Sequence, residues 1–194
     1  MRSAVVLAGG YSTRFGQQDK ALAELDGDPL IRRVLDSVAD EVDEVVVNCR
    51  DEQRGAIAEA VGDHDVRYAV DPVPDGGPVA GIRTGCRVAR GKWTAVTACD
   101  TPFLEPSLVE TLFEQCHGDG AVPRIAGRKR PLTAVYDTDA AVEACETTLG
   151  TGSRAASDVL DRLSPVVVPD PAPPETVADI DTRATLQSLC SRST

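Results

Sequence analysis

Short runs of β-branched residues alternate with helical segments along most of this chain of 194 residues. The apolar run at 3–8 is typical of a buried strand, and residues 29–42 place apolar side chains on one face of a helix. Further strands are predicted at 44–49, 66–70 and 93–99, each followed by a helical segment. Repeated β-α units of this kind fold into a mostly parallel sheet with helices on both faces. The sequence therefore predicts an α/β protein, built as a Rossmann-like three-layer α/β/α sandwich.

The second half of the chain departs from strict β-α alternation. Two extended stretches, 121–125 and 131–136, flank a basic turn and predict a hairpin or two neighbouring strands. Helices are predicted over 138–148 and 153–163, and a last strand over 165–169. A final helix is predicted to follow the proline-rich loop, near the end of the chain.

The composition is typical of one globular domain that spans residues 1–194. Hydrophobic residues make up 42% of the chain, which is enough for an ordinary core. No apolar run approaches the ~20 residues that a membrane helix needs, and the first residues lack a signal-peptide pattern. We therefore expect a cytoplasmic protein without a membrane partner.

The chain is strongly acidic, with a formal net charge of −11 and lysine at only three positions. Such a surface repels the nucleic-acid backbone, so nucleic acid is not an expected partner. It is typical of a protein that stays soluble at high salt, where charge repulsion is screened, so a halophilic source is expected. The six cysteines are scattered without a C-x-x-C pair, which indicates neither a zinc site nor a disulfide framework.

Glycines and polar residues follow the ends of the predicted parallel strands. Gly9 and Gly10 follow the first strand, and Asn48 closes the second. Asp71 and Asp100 follow the third and fourth strands. Ligands of open α/β sheets bind outside the carboxyl ends of the strands. These residues are therefore predicted to line one crevice.

The first of these loops, "LAGGYSTRFGQQDKAL" at 7–22, combines glycines with an arginine and a lysine. It contains neither the P-loop pattern nor the G-x-G-x-x-G fingerprint. Glycines allow backbone N–H groups to approach phosphate closely, Arg14 can grip two phosphate oxygens, and Lys20 supplies a compact positive charge. Taken alone, the loop is equally compatible with an ordinary turn that carries solvated charges.

Other motifs strengthen the phosphate interpretation. In "CDTPFL" the strand-end carboxylate of Asp100 is well placed to hold Mg²⁺, although a helix cap is the alternative role. The glycine-rich loop 71–82 enters a helix whose N-terminus favours negative charge. The basic turn 124–130 is either a solvated turn or a contact for an anionic second substrate. Arg154, at a predicted helix start, could reach a phosphate.

With these motifs in order, the chain resembles the molybdenum cofactor guanylyltransferases from residue 4 to about residue 186. The first loop together with "GPVAGI" and "CDTPFL" forms the specific part of the resemblance. The other matching stretches are "DGDPLIRRV", "VVVNC", "VD" at 70–71, "RPLTAVY" and "DIDTRATL". The resemblance implies a nucleotidyltransferase with a Rossmann-like, glycosyltransferase-A-type fold. It also implies that GTP reacts with molybdopterin or molybdenum-molybdopterin to give the guanine dinucleotide cofactor and pyrophosphate.

The resemblance also implies roles for individual residues. Arg14, Lys20 and Asp100 are the expected catalytic residues, with the first two on the phosphates and Asp100 on Mg²⁺. Further partners implied are other proteins of molybdenum cofactor biosynthesis and the recipient molybdoenzymes. The expected nucleotide-binding residues are Leu7, Ala8, Gly9, Gly10, Lys20, Asn48, Asp71 and Asp100.

One motif departs from the family pattern. The family often has Asn-x-Asn-Thr near the C-terminus, whereas this chain has Asp179 and Asp181 in "DIDT". That spelling is commoner in the cytidylyltransferase relatives, but those usually begin with LAAG and lack the GPVAG and CDTPF forms. Asp179, Asp181 and Arg154 are therefore candidate contacts for the pterin or its phosphate, and the two aspartates could instead cap the last helix.

Three functions compete on the sequence alone. The favoured one is transfer of GMP from GTP to molybdopterin. The enzymatic alternatives are a molybdopterin cytidylyltransferase, or a nucleotidyltransferase acting on a sugar phosphate or another phosphorylated acceptor. A nucleotide-binding regulatory protein is the alternative outside catalysis, and the retained Lys20 and Asp100 count against it.

Overall fold

The structure of the chain, a computed structural model, describes residues 1–11, 15, 19–72 and 76–190. Within this part of the chain, eight strands form one sheet in the order β10-β7-β9-β6-β1-β4-β5, with β8 paired to β7. A second, two-stranded sheet pairs β2 with β3. The strands are β1 (Arg2–Leu7), β2 (Glu24–Leu25), β3 (Asp28–Pro29), β4 (Glu44–Cys49), β5 (Val66–Val70), β6 (Trp93–Ala98), β7 (Gly120–Ile125), β8 (Arg128–Lys129), β9 (Thr133–Asp137) and β10 (Val166–Pro169).

Helices cover both faces of the main sheet, so the predicted three-layer α/β/α sandwich is confirmed. In the described residues the α-helices are α1 (Leu30–Val38), α2 (Arg54–Ala60), α3 (Gly77–Val88), α4 (Pro106–Gln115), α5 (Thr138–Gly150), α6 (Ala156–Leu160) and α7 (Arg183–Cys190).

The parallel part of the sheet follows the β-α alternation of the sequence. β1 pairs in parallel with β4 on one side and with β6 on the other, and β4 pairs in parallel with β5. Strand β9 runs antiparallel to both β6 and β7. It can do so because the chain returns directly from β8 and needs no crossover helix. The mostly parallel sheet predicted from the sequence is therefore present, with one reversed strand inside it.

The stretches predicted as a hairpin or two neighbouring strands, 121–125 and 131–136, correspond to β7 and β9, which pair antiparallel. A tight turn joins β7 to the short β8, a pairing that was not predicted. Ala126 and Gly127 lie between the two strands, and their φ angles are +50° and +75°. Positive φ at both central positions is typical of the two-residue turns whose twist matches that of the flanking strands. Glycine adopts such a φ without strain, whereas Ala126 is held there by the pairing on either side.

The core is divided between the two faces of the sheet by the alternation of side chains along each strand. On β1, Ala4 and Val6 pack into one cluster with α1 and α4, while Val5 packs into the other with α3 and α5. Both valines are fully buried. A strand buried on both faces reads as a continuous apolar run, which is why the sequence indicates it clearly.

A smaller apolar cluster anchors the loop that follows β1. Phe15 is buried together with Leu25 and Leu30, which belong to the β2–β3 sheet and the start of α1. Ile180 and Leu186 complete the cluster from the C-terminal segment. This packing brings the last part of the chain against the first loop, a contact across more than 160 positions that no local pattern predicts.

Element boundaries differ from the sequence predictions mainly in α6. The predicted helix 153–163 is shortened to Ala156–Leu160. Ser153 instead donates a hydrogen bond to the Asp158 carboxylate at 2.5 Å. Ser and Asp side chains that bond locally favour turns and helix starts over helix interiors. No helix in the described part of the chain is both long and apolar enough to cross a membrane.

Helix α3 lies so close to β1 that its glycine at position 85 has a packing role. An added Cβ at Gly85 would lie 2.4 Å from Cγ1 of the fully buried Val5. Gly55, on α2, has nothing within 4 Å of such a Cβ. Alanine in a helix gains about 0.5–1 kcal/mol over glycine at either site, so the two substitutions differ in packing alone.

We expect Gly85→Ala to lower the free energy of unfolding relative to Gly55→Ala by about 1–3 kcal/mol, the usual cost of overpacking a core. Chemical denaturation of both variants measures the difference. Equal stabilities would show that α3 moves away from β1 without cost.

Candidate active site

A crevice of about 370 Å³ lies at the carboxyl ends of β1, β4, β5 and β6. The structure brings together there all eight residues predicted to bind the nucleotide, and Asp181 lies beside them. Arg154 and Asp179 do not line the crevice, and Arg14 lies outside the described residues. The lining consists of Leu7, Ala8, Gly9, Gly10, Tyr11, Phe15, Lys20, Asn48, Arg50, Asp71, Gly76, Gly77, Pro78, Gly81, Ala98, Cys99, Asp100, Leu132 and Asp181.

Backbone hydrogen bonds extend the sheet one step beyond the end of β1. The N–H of Ala8 donates to the carbonyl of Asn48 at 2.8 Å, and the N–H of Cys99 donates to the carbonyl of Leu7 at 3.0 Å. The chain leaves the sheet at Gly9, where an added Cβ would lie 3.0 Å from Oδ2 of Asp71. A side chain here would therefore intrude on the polar wall of the crevice.

Asn48 is held rigidly at the floor of the crevice. Its side chain is 2% exposed, and Nδ2 donates to the carbonyl of Ala69 on the neighbouring β5 at 3.0 Å. The amide oxygen then faces the glycines: an added Cβ at Gly81 would lie 2.5 Å from it, and one at Gly9 would lie 3.2 Å away. The two glycines are the reason that this amide can sit between β1 and α3.

Within the described part of the chain, two strand-end carboxylates each have one buried oxygen without a hydrogen-bond partner. These atoms are Oδ1 of Asp71 and Oδ1 of Asp100, and both lie on residues that line the crevice. A buried acceptor without a partner is costly, because its hydration is lost and nothing replaces it. Such oxygens in a crevice are suited to receive a ligand's N–H or O–H groups or a cation.

Lys20 connects two of the acidic residues. Its ammonium donates to Oδ2 of Asp100 in a short contact, and to Oδ1 of Asp181 at 2.8 Å. The Lys20 and Asp100 side chains are 12% and 18% exposed, so this pair is shielded from solvent. A charge pair in such surroundings interacts more strongly than a surface pair.

Lys20 stays charged at neutral pH despite its burial. Burial acts to lower the pKa of its ammonium, but the carboxylates of Asp100 and Asp181 outweigh this effect and the pKa lies above its ordinary value. Burial also raises the pKa of Asp179, and the neighbouring negative charges of Asp100 and Asp181 raise it further. The crevice therefore contains a permanent positive charge beside a group of acidic side chains.

The C-terminal segment is tied to the end of β6. The N–H of Ile180 donates to the carbonyl of Asp100 at 2.9 Å, which brings Asp179 and Asp181 to this side of the sheet. At the start of the last helix, where the aspartates were an alternative cap, Thr182 provides a side-chain cap. The hydroxyl of Thr182 caps α7 by accepting the N–H of Thr185 at 3.1 Å, which leaves the aspartates on the segment before it.

Asp100 does not serve the alternative role of a helix cap. Helix α4 begins at Pro106, so Asp100 is too far away to cap it. Arg154 is exposed and lies against the start of α3. A Cβ added to Gly77 would lie 2.9 Å from the Cβ of Arg154. Gly77 has a φ of +67°, which together with this contact explains why glycine begins the helix.

The connection between β4 and α2 contributes to the site, although no motif in the sequence indicates it. Arg50 and Gln53 from this connection donate hydrogen bonds to the backbone carbonyls of the first glycine loop. Arg50 follows the strand-end Asn48 by two positions, and that position is the only signal for it in the sequence. The basic turn 124–130 also forms, with Arg128 and Lys129 exposed on β8.

The residues described here do not form a ready-made metal centre. Across the described ranges, no group of three or more His, Cys, Asp and Glu side chains is arranged to hold a metal ion by itself. Mg²⁺ in phosphate chemistry is commonly held by one or two carboxylates together with substrate phosphates and water. A crevice with the partnerless oxygen of Asp100 is compatible with that arrangement.

Comparisons with known proteins agree on one family. The chain is 41% identical to the "Probable molybdenum cofactor guanylyltransferase" of Natronomonas pharaonis over 168 residues, which covers 86% of this chain and 83% of that protein. It is 40% identical to the protein of the same description from Haloferax mediterranei, over 84% of this chain and 78% of that one.

A solved structure shares the architecture. The chain superposes on the molybdopterin-guanine dinucleotide biosynthesis protein A of Archaeoglobus fulgidus with a TM-score of 0.77 and 25% identity, covering 98% of each chain. The model of the MobA-like NTP transferase domain matches residues 4–166, which include the strands of the main sheet apart from the first two residues of β1 and most of β10. This chain therefore belongs to the MobA-like NTP transferase family, and it is a nucleotidyltransferase.

Proposed function

We propose that this enzyme transfers GMP from GTP to molybdopterin, forming the guanine dinucleotide form of the cofactor and releasing pyrophosphate. The observation that carries the proposal is the crevice, where a glycine loop, one charged lysine and two partnerless carboxylate oxygens converge. The names of the two relatives at 40% and 41% identity supply the reaction. The acceptor is molybdopterin, with or without molybdenum already bound.

The reaction joins two anionic groups. An oxygen of the acceptor's terminal phosphate attacks the α-phosphorus of GTP, the bond between the α-phosphorus and its bridging oxygen to the β-phosphate breaks, and pyrophosphate carries away the electron pair. The attacking phosphate is already ionised, so no side chain has to remove a proton from it. Catalysis then depends on orientation and on neutralisation of negative charge.

Lys20 is the described residue best suited to neutralise that charge. Its ammonium stays protonated because two carboxylates raise its pKa, and its side chain is only 12% exposed. The same carboxylates hold it in the crevice before a nucleotide arrives. Arg14 is proposed as a second cation on the phosphates, from the part of the loop outside the described residues.

Mg²⁺ is the proposed cofactor, and the donor set fits it. Asp100 would hold the ion through its buried Oδ1, since Oδ2 is already engaged by Lys20. When bound, the ion would withdraw negative charge from the phosphate oxygens. At the end of β6, Asp100 would thus bind Mg²⁺, while Lys20 would supply a positive charge of its own.

The nucleoside half of GTP is proposed to lie against β4 and β5. The buried oxygen of Asp71 can accept N–H or O–H groups of the base or ribose, and the rigid amide of Asn48 can do the same. Gly9 lies beside both groups, since an added Cβ there would be 3.0 Å from Oδ2 of Asp71 and 3.2 Å from Oδ1 of Asn48. An added Cβ at Gly10 would meet nothing within 4 Å, so this position is proposed to leave open space for the nucleotide. Leu7 and Ala8 form the backbone floor beside them.

The acceptor is proposed to approach from the C-terminal segment. Asp181 would repel an incoming phosphate if it were unpaired, but Lys20 stands 2.8 Å from its carboxylate and compensates its charge. Asp179 does not line the crevice, and burial together with the charges of Asp100 and Asp181 raises its pKa. Arg154 does not line the crevice, but it lies against Gly77 at the start of α3, which does, and it is therefore proposed for a more distant phosphate or the pterin.

The first experiment compares nucleotides. Purified enzyme with Mg²⁺ and molybdopterin should release pyrophosphate from GTP with a kcat/KM about 100-fold or more above that for CTP, because a site hydrogen-bonded to one base leaves polar groups unpaired with another. The assay is run at high salt as well as low, since the acidic surface predicts tolerance of it. Preference for CTP, or turnover only with a sugar phosphate, would contradict the proposal.

Lys20→Met is expected to lower kcat by about 10²–10³, the usual effect of removing one charge-stabilising donor from a transition state. The matched control is Lys92→Met, because Lys92 is exposed and lies over the Trp93 ring, away from the crevice residues. Steady-state kinetics with GTP measures both. A Lys20→Met enzyme as active as the control would remove Lys20 from the reaction.

Asp100→Asn is expected to abolish the stimulation of activity by MgCl₂, because an amide holds the ion far more weakly than a carboxylate. Asp139→Asn, an exposed position on α5, serves as the control for the loss of one negative charge. Magnesium titrations of activity, with circular dichroism as a check on folding, distinguish the two. An unchanged magnesium profile in Asp100→Asn would place the ion elsewhere.

A further inference from the structure

We propose that Arg50 is a positioning residue that holds the backbone of the first glycine loop in its nucleotide-binding form. The inference deepens the proposed function and rests on it, because the loop is taken to bind the triphosphate. Arg50 comes from the connection between β4 and α2.

The guanidinium of Arg50 grips two consecutive carbonyls of the loop. Its Nη1 donates to the oxygen of Gly9 at 2.8 Å and to the oxygen of Gly10 at 2.6 Å. Gln53 extends the grip by one residue, since its Nε2 donates to the oxygen of Ala8 at 3.2 Å. Three successive backbone carbonyls after β1 thus accept hydrogen bonds from side chains of the connection between β4 and α2.

Arg50 is itself fixed by contacts with neighbouring side chains. Nε of Arg50 donates to Oε1 of Glu52 at 2.8 Å, and Nη2 lies 3.7 Å from Oδ2 of Asp19. The backbone N–H of Arg50 donates to Oε1 of Gln53 at 3.0 Å, and Gln53 in turn contacts the Asp19 carboxylate. Asp19 directly precedes Lys20 in sequence. The network therefore links the glycine loop to the residue next to Lys20.

These contacts determine which way the loop amides face. In a planar trans peptide the C=O and the following N–H point in opposite directions. Fixing the carbonyls of Gly9 and Gly10 toward Arg50 therefore directs the N–H groups of Gly10 and Tyr11 away from it. It also removes two partly negative oxygens from the path of a triphosphate, which they would otherwise repel.

Arg50 is suited to this task rather than to binding phosphate. Its three guanidinium nitrogens already face Gly9, Gly10, Glu52 and Asp19, and its side chain is 14% exposed. The ring of Tyr11, itself 45% exposed, covers the guanidinium at 4.3 Å. A rigid fork that holds several acceptors in one plane is a property of arginine that lysine lacks.

The test compares Arg50→Lys and Arg50→Gln with the same substitutions at Arg67. Arg67 also joins a backbone carbonyl and a carboxylate, at Val88 and Glu44, but it does not line the crevice. Arg50→Lys should raise the KM and the Kd for GTP about 10-fold, as loss of charge-assisted hydrogen bonds does, while the KM for the acceptor stays unchanged. The Arg67 variants should keep wild-type values.

Arg50→Lys keeps the positive charge, so it separates two explanations. If Arg50 merely attracts the triphosphate by its charge, the lysine variant binds GTP like wild type and only the glutamine variant is impaired. If Arg50 orients the loop, both variants are impaired. The first result overturns the inference, and the second supports it.

A milder variant covers the case in which the Arg50 substitutions do not fold. Glu52 has a side chain that is 66% exposed and does not line the crevice, yet it anchors Nε of Arg50. Glu52→Gln should raise the Kd for GTP about twofold, in keeping with the modest strength of an exposed ion pair. If the Arg50 variants do not fold, an unchanged Kd for GTP in Glu52→Gln overturns the inference.

The binding measurement keeps this inference separate from the reaction. Isothermal titration with GTP, and with CTP if wild type prefers it, needs no acceptor. Failure of molybdopterin to react would contradict the proposed function, whereas Arg50 variants that bind the nucleotide like wild type would contradict only the role of Arg50.

Discussion

The parallel pairing of β1 with its two neighbours is the constraint on which the site depends. In this register Leu7 lies opposite Asn48 on one side and opposite Ala98 on the other, and Asn48 in turn lies opposite Ala69. The four strands therefore end at about one level, and the residues that follow them meet. Fully buried valines on both faces hold this register, because a slip of one residue would turn each side chain to the wrong face.

Charge organises what the sheet brings together. A carboxylate at the end of β6 and another from the C-terminal segment surround Lys20, and each charge limits the cost of burying the others. The arrangement keeps the lysine protonated while Oδ1 of Asp100 remains without a partner. A chain with lysine at three positions thus keeps one of them where anionic substrates are proposed to react.

Much of the fold and part of the site could be predicted from the sequence. Strands buried on both faces have continuous apolar runs, and the residues after them share one edge of the sheet, which is why Asn48, Asp71 and Asp100 were expected in one crevice. Arg50 could not be found this way, because an arginine in a connecting loop looks like any solvated charge until its carbonyl partners are known. The position of Asp181 likewise depends on a backbone bond between Ile180 and Asp100.

The sequence by itself determined the layers of the fold, the ends of the parallel strands and the family, because these follow from local periodicity and short motifs. Only the tertiary structure decided which charges meet. Lys20 is 80 positions from Asp100 and 161 from Asp181, and Arg50 reaches its carbonyls across about 40. Such contacts depend on which distant segments the fold brings to the same edge of the sheet. Local sequence patterns do not reveal this, because the contacts join residues far apart in the chain.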